Sequence, residues 1–184
     1  MIKNLKSSLI LTVILILMFG VVYPLGVYTI GLVLPSNSVG SPIVRGGRTI
    51  GFENIGQSFT DNKYFWGRPS AVNYNAASTG GSNKGPTNPD YLAEVQARID
   101  TFLVHNPGVK KDEIPSDLVT ASGSGIDPNI TPNSAYIQVK RIAVVRNLSE
   151  ARIKALVDQS IENTVLGMPV INVLKLNLKL DELK

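Results

Sequence analysis

The sequence contains no cysteine, which excludes disulfides, thiolate nucleophiles and zinc sites built on thiolates. Histidine is nearly as scarce: His105 stands alone. The acidic residues are dispersed, and no group of them has metal-ligand spacing. Charge is also thin, with Asp, Glu, Lys and Arg making up 17% of the chain against roughly 25% in an ordinary soluble protein. The net charge of +4 is modest and its basic residues are scattered, so nucleic acid is not an expected partner. What remains is room, in 184 residues, for one compact domain and an appendage.

The low charge has a local origin. No charged residue occurs from Ser7 to Val44, and Leu9 to Leu34 reads LILTVILILMFGVVYPLGVYTIGLVL. A spanning helix needs about 20 mainly apolar residues. Thirteen Leu, Ile, Val or Phe residues lie between Leu9 and Val27, and their insertion gains roughly 4 to 8 kcal/mol at most. Pro24 lacks an amide donor and crowds the preceding turn, so a kink is expected there. A cleaved signal peptide needs a shorter apolar core and a small-x-small site; here the core runs on through Val21, Val22 and Tyr23 without one. Lys3 and Lys6 precede the apolar run, whereas Arg45, Arg48 and Glu53 lie well beyond it. The positive-inside rule then keeps the N-terminus in the cytoplasm and sends the rest across.

The remaining sequence reads as folded. Gly46-Gly47 between two short apolar-bearing runs fits a two-residue hairpin turn. Asn88 caps a helix that Pro89 begins and Asp90 favours through the dipole. Leu92, Val95, Ile99 and Phe102 supply its apolar stripe, and Asn106-Pro107-Gly108 ends it near His105. Thr131-Pro132 starts a second helix carrying Ala135, Val139, Ile142 and Ala143. Ser149 caps a third, with Ile153, Leu156, Val157 and Ile161 inward. The tail LKLNLKL, Leu174 to Leu180, alternates strictly and predicts a strand. The expected fold class is α+β: a single N-terminal transmembrane helix followed by one compact extracytoplasmic α+β domain. The expected boundaries are a cytoplasmic tail over 1–8, the membrane helix over 9–34 and the domain over 35–184.

The stretch WGRPSAVNYNAASTGGSNKGPTNPDY, from Trp66 to Tyr91, is too polar for core and too rich in specific turn formers for a flexible linker. GGSNKGPT, Gly80 to Thr87, comes near the phosphate-loop pattern. However, Pro86 stands where the lysine must be, Lys84 is two positions early, and no apolar strand leads in. The stretch is read instead as an ordered docking loop, with Trp66 anchoring it and Arg68, Asn83 and Lys84 offered to a partner; a loop that only caps the domain is the alternative. His105 sits at a helix end, where the dipole alone favours it. Ser122-Gly-Ser-Gly lacks the strand and helix of a nucleophile elbow, and the Asp-Lys-Thr-Gly-Thr phosphorylation motif of P-type pumps does not occur. No catalytic residue and no metal site is assigned.

Several blocks nevertheless resemble one family. YPLGVY near the end of the membrane helix, GQSFTDNKYFWGRPSA, GGSNKGPTNPDYLAEVQARI, PSDLVTASGSGIDPNITP and VINVLKLNLKLD resemble the C subunit of the Kdp high-affinity potassium-transporting ATPase of bacteria and archaea. They cover most of the chain in the family's order. One departure is Lys140 after Gln138-Val139, where the family usually has proline.

The resemblance implies a subunit of an ATP-driven potassium uptake complex in the cell membrane, not the hydrolase itself. Its implied partners are a channel-like potassium-translocating subunit, a P-type ATPase subunit and a small membrane peptide, with the helix in the lipid bilayer. It implies a role in holding the complex together from the extracytoplasmic side, and a catalytic chaperone role that raises the pump subunit's affinity for ATP. A nucleotide contact is implied at Ser122, Gly123, Ser124, Gly125 and Gln138. The topology read from the charges opposes that contact, because ATP is cytoplasmic. The expectation is therefore no tightly bound cofactor, with ATP acting through the complex.

Overall fold

A computed structural model describes residues 2–34, 40–164 and 167–183. It divides into two compact units, Met1–Ser41 and Pro42–Lys184. The domain start expected at residue 35 lies outside the described residues.

The first unit is helical: α1 (Ile2–Leu17), a π-helical turn (Met18–Val22) and α2 (Tyr23–Val33) follow without a break. Asn4–Val33 forms a continuous 30-residue helix, and an 18-residue window within it has a mean hydropathy of 2.5. At 1.5 Å per residue it measures about 45 Å, more than the roughly 30 Å of a bilayer's hydrocarbon core. Its apolar side chains are exposed from Leu9 to Leu34 wherever they are large, so lipid is the solvent that suits them. The two threonine hydroxyls are satisfied within the helix, Thr12 donating to the Ser8 carbonyl and Thr29 to that of Gly26, each at 2.8 Å. The crowding behind the kink expected at Pro24 is met one turn earlier, by the π-helical turn. The pyrrolidine would crowd the carbonyl four residues back; the turn widens instead, and the Tyr23 amide bonds to the Met18 carbonyl.

The second unit opens with a hairpin, β1 (Pro42–Arg45) and β2 (Arg48–Phe52). Arg45 pairs with Arg48 across Gly46 (φ +57°) and Gly47 (φ +76°). Two successive positive φ angles are what the two-residue turn requires and what glycine supplies at least cost. A long segment without regular structure leads to α3 (Pro89–His105), capped by Asn88 Oδ1 accepting from the Tyr91 amide at 3.1 Å. Replacing Asn88 by alanine orphans that amide and is expected to lower stability by about 1 kcal/mol. Denaturant unfolding of the detergent-solubilised chain checks this. The stripe on α3 is shallower than expected: Phe102 is buried, but Leu92 is 52% exposed, and Val95 and Ile99 are half-buried.

The short strands β3 (Asn129–Ile130) and β4 (Ile171–Asn172) pair antiparallel. Between them lie α4 (Pro132–Tyr136), α5 (Val139–Arg146) and α6 (Glu150–Asp158). Thr131 and Ser149 cap α4 and α6 through the amides of Ser134 and Arg152. The second helix expected from Thr131 onward is thus two helices, broken at Ile137-Gln138. The tail expected as a strand is also a helix, α7 (Val173–Glu182). Asn172 caps it by accepting from the Lys175 amide at 3.0 Å. Val173, Leu176, Asn177 and Leu180 are buried at spacings of three, one and three, one helical face. The core joins that face to Phe65, Phe102, Ile130, Ile142, Ile153, Val157 and Ile171.

Candidate functional site

The polar centre of the domain is built around the segment that leads into the Trp66 stretch. The backbone of Phe65 and Trp66 has no strand beside it, so its amides and carbonyls need other partners. Two side-chain amides provide them. Asn177 on α7 accepts from the Phe65 amide at 2.8 Å and donates to the Phe65 carbonyl at 3.0 Å. Gln138, just before α5, accepts from the Trp66 amide at 2.8 Å and donates to the Trp66 carbonyl at 3.2 Å. Successive residues of an extended chain present their amides to opposite sides, and here a side-chain amide stands on each side in place of a neighbouring strand.

Arg141 closes the arrangement from α5. Its Nε donates to Asn106 Oδ1 at 2.9 Å, and its Nη2 to Gln138 Oε1 at 2.7 Å. Its Nη1 donates to the carbonyls of Asn62 and Tyr64. The guanidinium also lies over the Trp66 ring, 4.7 Å from its centroid, a cation–π contact that strengthens as water is removed. Burial pushes the Arg141 pKa down to about 10, with Asp61 acting weakly in the other direction. It therefore stays charged at neutral pH. Trp66 further meets His105 and Phe102 edge-on, at 5.1 Å and 6.2 Å, and its Nε1 donates to the Asp61 carbonyl.

The other candidates from sequence fall into two places. Arg68 and the Ser-Gly loop are brought together. Arg68 Nη1 lies 3.0 Å from Asp127 Oδ2, and the Ser122 amide donates to the Pro69 carbonyl. The Gly80 amide donates to the Ser124 carbonyl. Gly81 lies so near Gly123 that a Cβ would stand 3.2 Å from its carbonyl oxygen. Residues 68–81 and 122–127 thus form one layer of interlocked loop. Asn83 and Lys84 stand apart from it: Asn83 is exposed with φ +53°, and Lys84 pairs with Glu94 at 2.6 Å. Arg68 is only about a quarter exposed and already paired, so it is not the free surface cation that the sequence suggested.

The nucleotide candidates are similarly committed to the fold. Gln138 is fully buried, and its Nε2 also donates to the Ser134 carbonyl. With two donors and two acceptor sites all used, no atom of its amide is left for a nucleotide. Ser122 is buried with its Oγ accepting from the Gly125 amide, and Gly125 is itself buried, at φ +70°. Only Gly123 and Ser124 face solvent. Among the described residues no three His, Cys, Asp or Glu side chains are grouped to hold a metal ion.

The residues missed by sequence reasoning are Arg141, Asn177 and Asn106. The one available signal was position: Arg141 and Asn177 sit beside apolar residues on faces that are otherwise buried.

Comparison with known proteins agrees over nearly the whole chain. The family described as K+-transporting ATPase, c chain, matches residues 5–182. The potassium-transporting ATPase KdpC subunit of Flavobacterium psychrophilum is 55% identical over 183 residues, covering 99% of this chain and 100% of that protein. The KdpC subunit of Bacteroides thetaiotaomicron is 50% identical over 188 residues, with the same shares covered. That of Caldanaerobacter subterraneus is 47% identical over 184 residues, 98% and 95% of the two chains. Agreement of this length and level leaves one assignment: the chain belongs to the KdpC family, the c chain of K+-transporting ATPases.

Proposed function

We propose that this KdpC subunit is a non-catalytic assembly subunit, anchored by its helix, that holds the complex together from outside the cytoplasm. In this reading it binds a channel-like potassium-translocating subunit and a P-type ATPase subunit, with a small membrane peptide nearby. It raises the pump subunit's affinity for ATP only indirectly, by fixing the assembled state. The observation that carries the reading is the saturation of Gln138, whose every amide atom is spent inside the fold. The side chain with most to offer a nucleotide instead fastens the Trp66 stretch to the core. The charge asymmetry about the apolar run, with Lys6 in the first turns of its helix and Arg45 and Arg48 well after it, supports the outward orientation.

Direct ATP contact is the second reading, favoured by the solvent-facing Gly123 and Ser124. Orientation separates the two. A reporter active only after export, fused after residue 184, is expected to be active, and a cytoplasm-only reporter silent. The reverse pattern would overturn the assembly reading and restore nucleotide contact. Tagged chain from potassium-starved membranes is expected to bring the other ATPase subunits with it in mild detergent.

A further inference from the structure

Away from the interlocked loops, a cleft of about 290 Å³ opens between the end of α3 and α5. Val104, Val144 and Val145 line it and are 77%, 76% and 49% exposed. Three valines from two helices, gathered at one concavity, form an apolar surface that no described residue of this unit covers. Scattered single apolar residues are ordinary on a protein surface, whereas a gathered group marks an interface.

Two further features indicate what would cover it. Lys140 also lines the cleft and is exposed, its ammonium beside Gly108. Among the described residues no carboxylate pairs with it. The buried Arg141 charge lies on the same wall. The cleft thus offers an apolar floor and an uncompensated positive charge.

We infer that this cleft is a docking site for a segment of another subunit of the same ATPase, one carrying a branched apolar side chain beside a carboxylate. The inference rests on the assembly role proposed above. The apolar side chain would seat among the three valines, and the carboxylate would meet Lys140. Positive charge on the cleft favours an acidic protein segment over a second copy of this basic surface, since like charges facing each other are repelled.

The test uses the full chain, tagged and produced together with the other subunits, recovered from membranes in mild detergent. Val144→Asp should reduce recovery of those subunits at least tenfold, with the unfolding midpoint unchanged because the side chain is exposed. Lys140→Glu should reduce recovery several-fold, and Lys140→Arg should retain it. Met168→Asp, at an equally exposed residue outside the cleft, should have no effect. Equal recovery for wild type, Val144→Asp and Lys140→Glu overturns the inference, and is the result expected if lipid covers the valines. Light scattering that shows the chain alone as a dimer split by Val144→Asp also overturns it. Failure of the wild-type chain to bring any partner overturns the assembly role itself, so the two failures are distinguishable.

Discussion

Gln138→Ala is expected to destabilise the extracytoplasmic domain proposed above by about 3–5 kcal/mol, far more than a typical polar-to-alanine change. The substitution leaves the Trp66 amide and carbonyl without partners in a site closed to water, and each such orphan costs about 1–3 kcal/mol. It also removes one acceptor from Arg141, whose buried charge has no carboxylate bonded to it and depends on neutral oxygens for its solvation. The void left by the amide adds to the loss. Gln138→Met keeps most of the volume and loses the same bonds, so the difference between the two variants isolates the cavity. Denaturant unfolding of the solubilised chain measures both. A loss below about 1 kcal/mol would show that the Trp66 segment is held by its aromatic and cation–π contacts alone. A practical consequence concerns any loss of transport in Gln138→Ala, which would report folding before it reports nucleotide contact. Ser124, exposed at the loop tip, is the cleaner probe of the latter.

Much of the scaffold was legible because short-range chemistry decides it. Asn88, Thr131, Ser149 and the pair Gly46-Gly47 act through bonds or dihedrals within a few residues of themselves, and the structure uses each as the sequence suggests. The tail shows where that reasoning fails. Leu174 to Leu180 alternates Leu with Lys or Asn, a pattern that satisfies a period of two. It satisfies a helix equally well once Asn177 is counted as buried. The warning was composition: Leu and Lys favour helix, and none of the seven residues is β-branched. Asn177 was hidden because a polar residue is normally read as outward. Its burial makes sense only beside Phe65, a partner 112 residues away in sequence. The candidate site was least legible for the same reason. Trp66 could be read as an anchor from its type alone, but Gln138 and Arg141 acquire their roles from contacts more than 70 residues distant, which no local pattern encodes.

Gly56→Ala should cost about 3 kcal/mol, at the upper end of what overpacking does, although the change adds one methyl group. A Cβ at this buried position would stand 2.4 Å from the Asp127 carbonyl oxygen and 2.8 Å from the carbonyl carbon. Both obstacles are backbone and cannot rotate away. The Gly56 amide donates to the Ile126 carbonyl at 2.7 Å, so relieving the clash stretches the bond that brought the strands of loop together. Residues 126–127 would have to retreat, and Asp127 carries the carboxylate that pairs with Arg68. Arg68 already has a buried Nε without a partner, so losing Asp127 would leave its charge poorly compensated. Gly51→Ala is the matched control. There the nearest atoms belong to the side chains of Gln57 and Leu174, which can turn aside, and a loss of about 1 kcal/mol is expected. Unfolding midpoints of the two variants, compared in the same detergent, decide the point. If Gly56→Ala costs no more than Gly51→Ala, the 122–127 loop yields easily, and it does not hold Arg68 and the Trp66 stretch in a fixed layer.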